Sequence, residues 1–283
     1  MIRLSAFADE AAGDFEGQLR ALERNRIPYI ELRGLDGDNI LDITEERARE
    51  YARRLEKAGK KVWALGSPVG KAKTEDFPRQ EKNLLHLCRL ARIFGTPRIR
   101  VFSFFEAYDK EETVIAHLSR LVELAAREGC TLYHENEKEI FGDTLVRVQR
   151  LMDRVPGLEF VYDPANFVQV GEKSENTLPA LHSRCRYFHI KDALRETEEI
   201  VPAGLGDGNI PELVRRIDAD RTVTLTLEPH LAVFDGYAGI DSTELKNRYR
   251  FSSNEEAFDA AVRALKNVLK EAGYREIEEG FVK

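Results

Sequence analysis

Short runs of β-branched and aromatic residues alternate along this chain with longer segments whose apolar positions recur at helical spacing. The short runs fall at 2–7, 29–32, 61–65, 98–102, 131–133, 158–162, 187–190 and 222–227 and predict strands. The amphipathic segments between and after them, at 15–25, 45–58, 81–94, 114–127, 144–154 and 255–272, predict helices. Thr44, three residues before Arg47, marks one helix start; Gly59 and Gly95 follow two helix ends, and Asn254 is expected to cap the last helix. No Pro- or Ser-rich linker, low-complexity tract or sustained heptad divides the chain, so one domain over 1–283 is expected. Eight βα repeats over about 250 residues predict an α/β fold, a single (β/α)8 TIM barrel. A doubly wound open sheet is the alternative, but no GxGxxG follows the first strand.

Composition adds limits to this picture. The 283 residues are 42% hydrophobic and 33% charged, enough apolar material for a sizeable core and too much for a disordered chain. Net charge is −7 and the basic residues are scattered over helix faces, so no nucleic-acid partner is expected. Cys88, Cys130 and Cys185 are odd in number and lack CxxC spacing, which fits buried thiols in a reducing cytoplasm rather than disulfides or structural zinc. No apolar run reaches membrane-spanning length and the N-terminus lacks the pattern of a signal peptide, so a cytoplasmic location is expected.

Four successive strand-like runs in the second half each stop on a residue able to bind a metal: Glu135 in TLYHEN, Asp163 in EFVYDPAN, His189 in YFHIKD and Glu228 in VTLTLEPH. Each is about one βα unit beyond the last, and a barrel aims the C-terminal ends of its strands at one axis. A lone acid at a strand end is usually a helix cap or an ion-pair partner. Four at equivalent positions, with these side chains, point instead to one shared ion. Three carboxylates and one imidazole suit Mn²⁺ first, then Mg²⁺ or Co²⁺, with Zn²⁺ also compatible.

These residues resemble the xylose-isomerase-like sugar isomerase and epimerase superfamily along nearly the whole chain, through LSAFADE, IELRG, GSPVGK, HENE, DPANF, HIKD, the AGLGDG loop and LEPH. The resemblance implies a divalent ion held by Glu135, Asp163, His189 and Glu228. It further implies a sugar isomerase or epimerase acting on a ketose or related polyol through an enediolate, with Glu135 and Glu228 exchanging the protons. This chain carries Asn166 where some family epimerases carry a histidine, and Arg195 at the step where they place a substrate-binding arginine.

The candidate substrate contacts are Lys191, Arg195, Asn166, Glu137, Glu31 and Lys71. Lys191 alternates with His189 toward the barrel axis. Arg195 sits in a charged stretch that reads equally as solvated surface, and Asn166 also reads as a helix cap. His134 reads equally as a packed histidine and as a substrate contact. GSPVGK lacks the spacing of a phosphate loop, so Lys71 is a polyol contact at most. The segment VPAGLGDGNIPEL reads as a loop over the site or as a turn leading to an Asn209 cap, and FDGYAGIDSTELKNRYRF as a pocket cover or a subunit contact. The expected partner is a small carbohydrate, with a homo-oligomer left open. An inosose-dehydratase-like lyase is the second reading, since it uses the same C–H acidification and then expels a hydroxyl. An abasic-site phosphodiesterase of the same superfamily needs more histidine ligands than the placement of the six histidines offers, and a non-catalytic sugar-binding protein would not need the intact quartet.

Overall fold

The computed structural model describes residues 1–218, 220–234, 246 and 248–283. The eight expected strands are present as β1 (Ile2–Ala6), β2 (Tyr29–Leu32), β3 (Lys61–Gly66), β4 (Arg98–Val101), β5 (Thr131–Glu135), β6 (Glu159–Tyr162), β7 (Tyr187–Ile190) and β8 (Val223–Leu227). Each pairs in parallel with its neighbours, and β8 pairs back onto β1 from Ile2↔Val223 to Ala6↔Leu227, so the sheet closes. The fold is therefore a (β/α)8 barrel. After the last helix, β9 (Arg275–Ile277) and β10 (Gly280–Val282) form a short hairpin, and β10 pairs antiparallel to the outer edge of β1 through Ile2↔Phe281.

The long helices are α1 (Phe15–Arg24), α2 (Glu45–Lys57), α3 (Phe77–Phe94), α4 (Glu111–Arg127), α5 (Leu145–Arg154) and α9 (Asn254–Glu271). Their buried faces, such as Val114, Leu118, Leu121 and Ala125 on α4, cover the barrel and form one continuous apolar core with the outward residues of the strands. α3 starts four residues before the predicted point because Pro78 lies in its first turn, where a missing N–H costs nothing. Three short helices were not drawn from sequence: α6 (Pro164–Gln169), α7 (Ser174–Leu181) and α8 (Ile210–Arg215). Gly171, at φ 82°, separates α6 from α7, which hid their periodicity.

The caps follow local chemistry. Thr44 accepts the Arg47 N–H at 3.3 Å as expected. Asn254 is not the cap of α9: Ser253 takes that place, accepting from Glu256 N at 3.1 Å, while the Glu256 carboxylate receives Ser252 N at 2.7 Å. The Ser-to-Glu spacing of a capping box decides the start one residue earlier. Asn209 does precede α8, but with a left-handed backbone and no side-chain cap bond.

The inner face of the barrel is unusually polar and aromatic. Near its N-terminal end Trp63, Tyr133 and Tyr187 pack edge to face, with ring centroids 5.6 Å apart in both the Trp63–Tyr187 and Tyr133–Tyr187 pairs. This aromatic layer is the floor on which the polar groups of the next layers stand. No described helix is long and apolar enough to cross a membrane.

Candidate metal and active site

Strand alternation places the four predicted ligands together. On β5, His134 faces outward and Glu135 inward. Glu135, Asp163, His189 and Glu228 are all buried at the C-terminal end of the barrel, and each offers an atom within 4.8 Å of those of the others. Asp163 does two jobs: its Oδ1 caps α6 by accepting Asn166 N at 2.9 Å, which leaves Oδ2 to face the site. The cap reading holds, and it leaves the second carboxylate oxygen turned toward the other three residues.

His189 is oriented from both sides. Its Nδ1 lies 2.8 Å from Glu135 Oε1 and 3.1 Å from Glu228 Oε2, whereas Nε2 lies 3.2 Å from Glu31 Oε2 on the opposite side of the barrel. The Tyr187 hydroxyl donates to the same Glu31 oxygen. Against the effect of burial, Glu135, Glu31 and Glu228 hold the imidazole well above its ordinary value, so both nitrogens carry protons. An ion at the cluster would replace the Nδ1 proton while Nε2–H stays donated to Glu31.

Two arginines fix the glutamates. Arg100 Nη1 donates to Glu135 Oε2 at 2.9 Å, and Arg33 Nη1 to Glu228 Oε1 at 2.8 Å. Arg33 is itself held by Asp9 at 2.9 Å and Glu10 at 3.1 Å and lies over the Phe7 ring. Lys191 Nζ is 3.2 Å from Asp163 Oδ2 and 3.7 Å from Glu228 Oε2.

These charges set the protonation states. Burial works to raise Glu135, but His189 and Arg100 outweigh it and hold the carboxyl at about 2. Burial is likewise overcome at Glu228 by Lys191 and His189, which keep it well below the usual carboxylate range. At Asp163 burial wins over Lys191 and lifts the carboxyl to about 7. Glu10 is pushed up to about 8, chiefly by burial, against the pull of Arg33.

The four residues fit a divalent ion. Asp163 Oδ2 and Glu228 Oε2 are buried acceptors without a hydrogen-bond donor among the described residues, met only by the charges of Lys191 and His189. A positive centre between them would satisfy both oxygens and take the place of the His189 Nδ1 proton. Glu10, Glu228 and His230 also approach within 4.8 Å, but Arg33 already occupies the carboxylates of that group.

The candidate substrate residues divide. Lys191 and Asn166 reach the cluster, Asn166 Nδ2 donating to Asn136 O at 2.9 Å and lying 3.4 Å from Glu135 Oε1. Asn166 is inside α6 rather than its cap. Glu31 lies under His189. Lys71 and Glu137 pair with each other at 3.0 Å, with Lys71 over the Phe102 ring. Arg195 is turned aside: its guanidinium lies 4.0 Å from Glu175 at the start of α7, and only its backbone N–H is fixed, by Asp207. His134 packs against Phe160 and next to Gly142, and neither ring nitrogen has a hydrogen-bond partner among the described residues. Most of the stretch proposed as a pocket cover, 235–245 and 247, lies outside the described residues.

The glycine-rich segment after β7 is folded around one side chain. Asp192 accepts from Gly204 N at 2.9 Å, Gly206 N at 3.0 Å, Gly208 N at 2.9 Å and Ala193 N at 3.0 Å. A Cβ at position 206 or 208 would stand 2.3 or 2.7 Å from Asp192 Oδ1, so these positions require glycine.

Sequence reasoning missed Arg100, Asn136 and Asp192. Arg100 was legible in principle, because RIRVF alternates arginines with apolar residues, and in a barrel the arginine face must point inward. Asn136 exchanges two 2.8 Å hydrogen bonds with the backbone of Asp163 and so locks β5 to β6 at the site.

A family model described as xylose isomerase-like TIM barrel matches residues 19–268. Among solved structures, the chain is similar to the probable 3-DHS dehydratase AsbF from Bacillus anthracis (TM-score 0.71, 17% identity, 94% of this chain and 99% of that one). It is also similar to the IolI protein, solved with a bound zinc atom (0.73, 14%, 95% and 99%). A third is D-allulose 3-epimerase from Methylomonas sp., solved with D-allulose (0.72, 16%, 95% and 96%). At these identities the likeness is one of fold. No curated protein gives a match.

Proposed function

Starting from the fact that the chain belongs to the xylose isomerase-like TIM-barrel family, we propose that it is a divalent-metal-dependent isomerase or epimerase of a ketose or related polyol. The observation that carries this reading is the pairing of Glu135 and Glu228 across His189, each with one oxygen locked by a buried arginine and the other facing the shared centre. Glu135, Asp163, His189 and Glu228 would hold the ion, with Mn²⁺ proposed because the donors are mainly hard oxygens. Bound there, the ion would polarise a carbonyl and the neighbouring hydroxyl, which would acidify the C–H of the hydroxyl-bearing carbon.

The chain's own groups do the rest. Ionised Glu135 and Glu228 flank the reacting carbons and can accept a carbon-bound proton; the proton returns to the neighbouring carbon, or to the same carbon from the other face. Lys191, charged and buried beside Asp163 and Glu228, donates to a substrate oxygen as negative charge grows on it. Asn166 can hydrogen-bond a hydroxyl but cannot move a proton near neutral pH.

The test is a ketose, inosose and hydroxy-keto-acid panel in D₂O with added Mn²⁺. The reading expects carbon-bound deuterium in a product of otherwise unchanged mass, and loss of that exchange in Glu228→Gln. A product lighter by one water would assign a dehydratase instead.

A further inference from the structure

The N-terminal mouth of the barrel, on the face opposite the metal cluster, holds a cavity of about 660 Å³ that the proposed reaction does not use. Its lining includes Arg3, Arg53, Lys61 and Arg98, with Tyr29 and Trp63. Arg98 lies 4.0 Å over the Trp63 ring, and Arg3 and Lys61 each lie 6.0 Å from the Tyr29 centroid. Among the described residues that line the cavity, Glu56 is the only carboxylate.

Part of this charge has a local cause. The C-terminal ends of α2 and α3 open here and favour cations, Lys60 is tied to Glu23 at 2.7 Å, and Lys61 approaches Glu279 at 3.9 Å. Arg3, Arg53 and Arg98 are different: they pair with no carboxylate among the described residues, and Arg3 and Arg98 lie against aromatic faces. Guanidinium groups spread on aromatic rings keep their N–H edges free for a phosphate and offer flat surfaces to a planar ring. The volume is in the range of sites for nucleotide-sized molecules and is too large for an inorganic anion alone.

We propose that this cavity is a second ligand site, taking a phosphate ester that carries a planar ring, with Arg3 and Arg53 holding the phosphate and the Arg98 guanidinium, stacked on Trp63, supporting the ring. Trp63 is the only tryptophan in the chain, so its emission reports on this face of the barrel. The experiment titrates AMP into full-length protein treated with EDTA, which removes any phosphate contact with an ion at the other face. A saturable change in Trp63 emission is expected, weakened at least about tenfold by Arg53→Gln or Arg3→Gln and absent with adenosine. Arg53 is exposed on α2, so that variant separates lost binding from lost folding. Failure of AMP to perturb Trp63, equal binding of adenosine, or full affinity in both arginine variants would overturn the proposal.

Discussion

Replacing Asp192 by asparagine keeps the shape of the side chain and removes half of its accepting capacity. In the wild type Oδ1 serves Ala193 and Gly208, and Oδ2 serves Gly204 and Gly206, all between 2.9 and 3.0 Å. An amide leaves one of these pairs facing an NH₂ group, so two N–H donors lose their acceptor and meet another donor. At roughly 1–1.5 kcal/mol for each lost bond, Asp192→Asn should cost about 2–3 kcal/mol. Unfolding entropy near 2.1 cal/mol/K per residue makes the transition entropy of a chain this long about 0.6 kcal/mol/K, so Tm should fall by about 3–5 °C. Asp192→Ala, which removes all four bonds, should fall further. Calorimetry at neutral pH measures both, and hydrogen exchange should show protection lost at Gly204, Gly206 and Gly208 before the barrel strands. An unchanged Tm in both variants with intact protection at those amides would refute the view that this carboxylate organises the loop.

Three further outcomes follow from the geometry. Glu31→Gln should weaken metal binding about 10- to 100-fold, because the His189 imidazole loses its charged acceptor, while KM at saturating metal stays near the wild-type value; titration calorimetry and steady-state kinetics separate this from a substrate contact, for which KM alone would move. Lys191→Met should lower kcat/KM by at least about a hundredfold, whereas Arg195→Ala should change it less than about threefold, a contrast of more than 2 kcal/mol in transition-state stabilisation; equal effects would mean that Arg195 reaches the substrate. Burial holds His134 at about 3 against an ordinary 6.5, so the unfolded chain takes up its proton first as pH falls. Its stabilising contribution is therefore complete above 6.5 and lost progressively toward 3, about 2 kcal/mol of it between pH 6.5 and 5. Urea unfolding of wild type and His134→Leu across that window should show the steeper pH slope in the wild type, and parallel slopes would contradict the assignment.

The barrel was legible because its signals are local and repeated: eight strand runs, with helices between, recur at the right lengths. The four cluster residues were legible for the same reason: Glu135 closes its strand, Asp163 and Glu228 follow theirs, and His189 lies one residue before the end of its strand. What the sequence did not reveal depends on contacts across the barrel. Glu31 looked like a substrate contact because it ends an apolar run, yet its neighbours are Tyr187 and His189, more than 150 positions away. Arg100 carried no reading of its own, because only closure of the sheet turns it toward Glu135. Arg195 follows His189 at a suggestive step, but the Asp192-centred loop fixes its backbone to Asp207 and sends its side chain toward Glu175. The start of α9 turned on a competition between Ser253 and Asn254 that the Glu256 carboxylate decides.

The central claim is that Glu135, Asp163, His189 and Glu228 hold one divalent ion. Metal content and titration calorimetry with Mn²⁺ on the full chain test it directly. The account predicts one equivalent per chain in the wild type and loss of that equivalent in His189→Ala with the fold retained by circular dichroism. A wild type that takes up no ion, or a His189→Ala protein that binds it equally well, would contradict it.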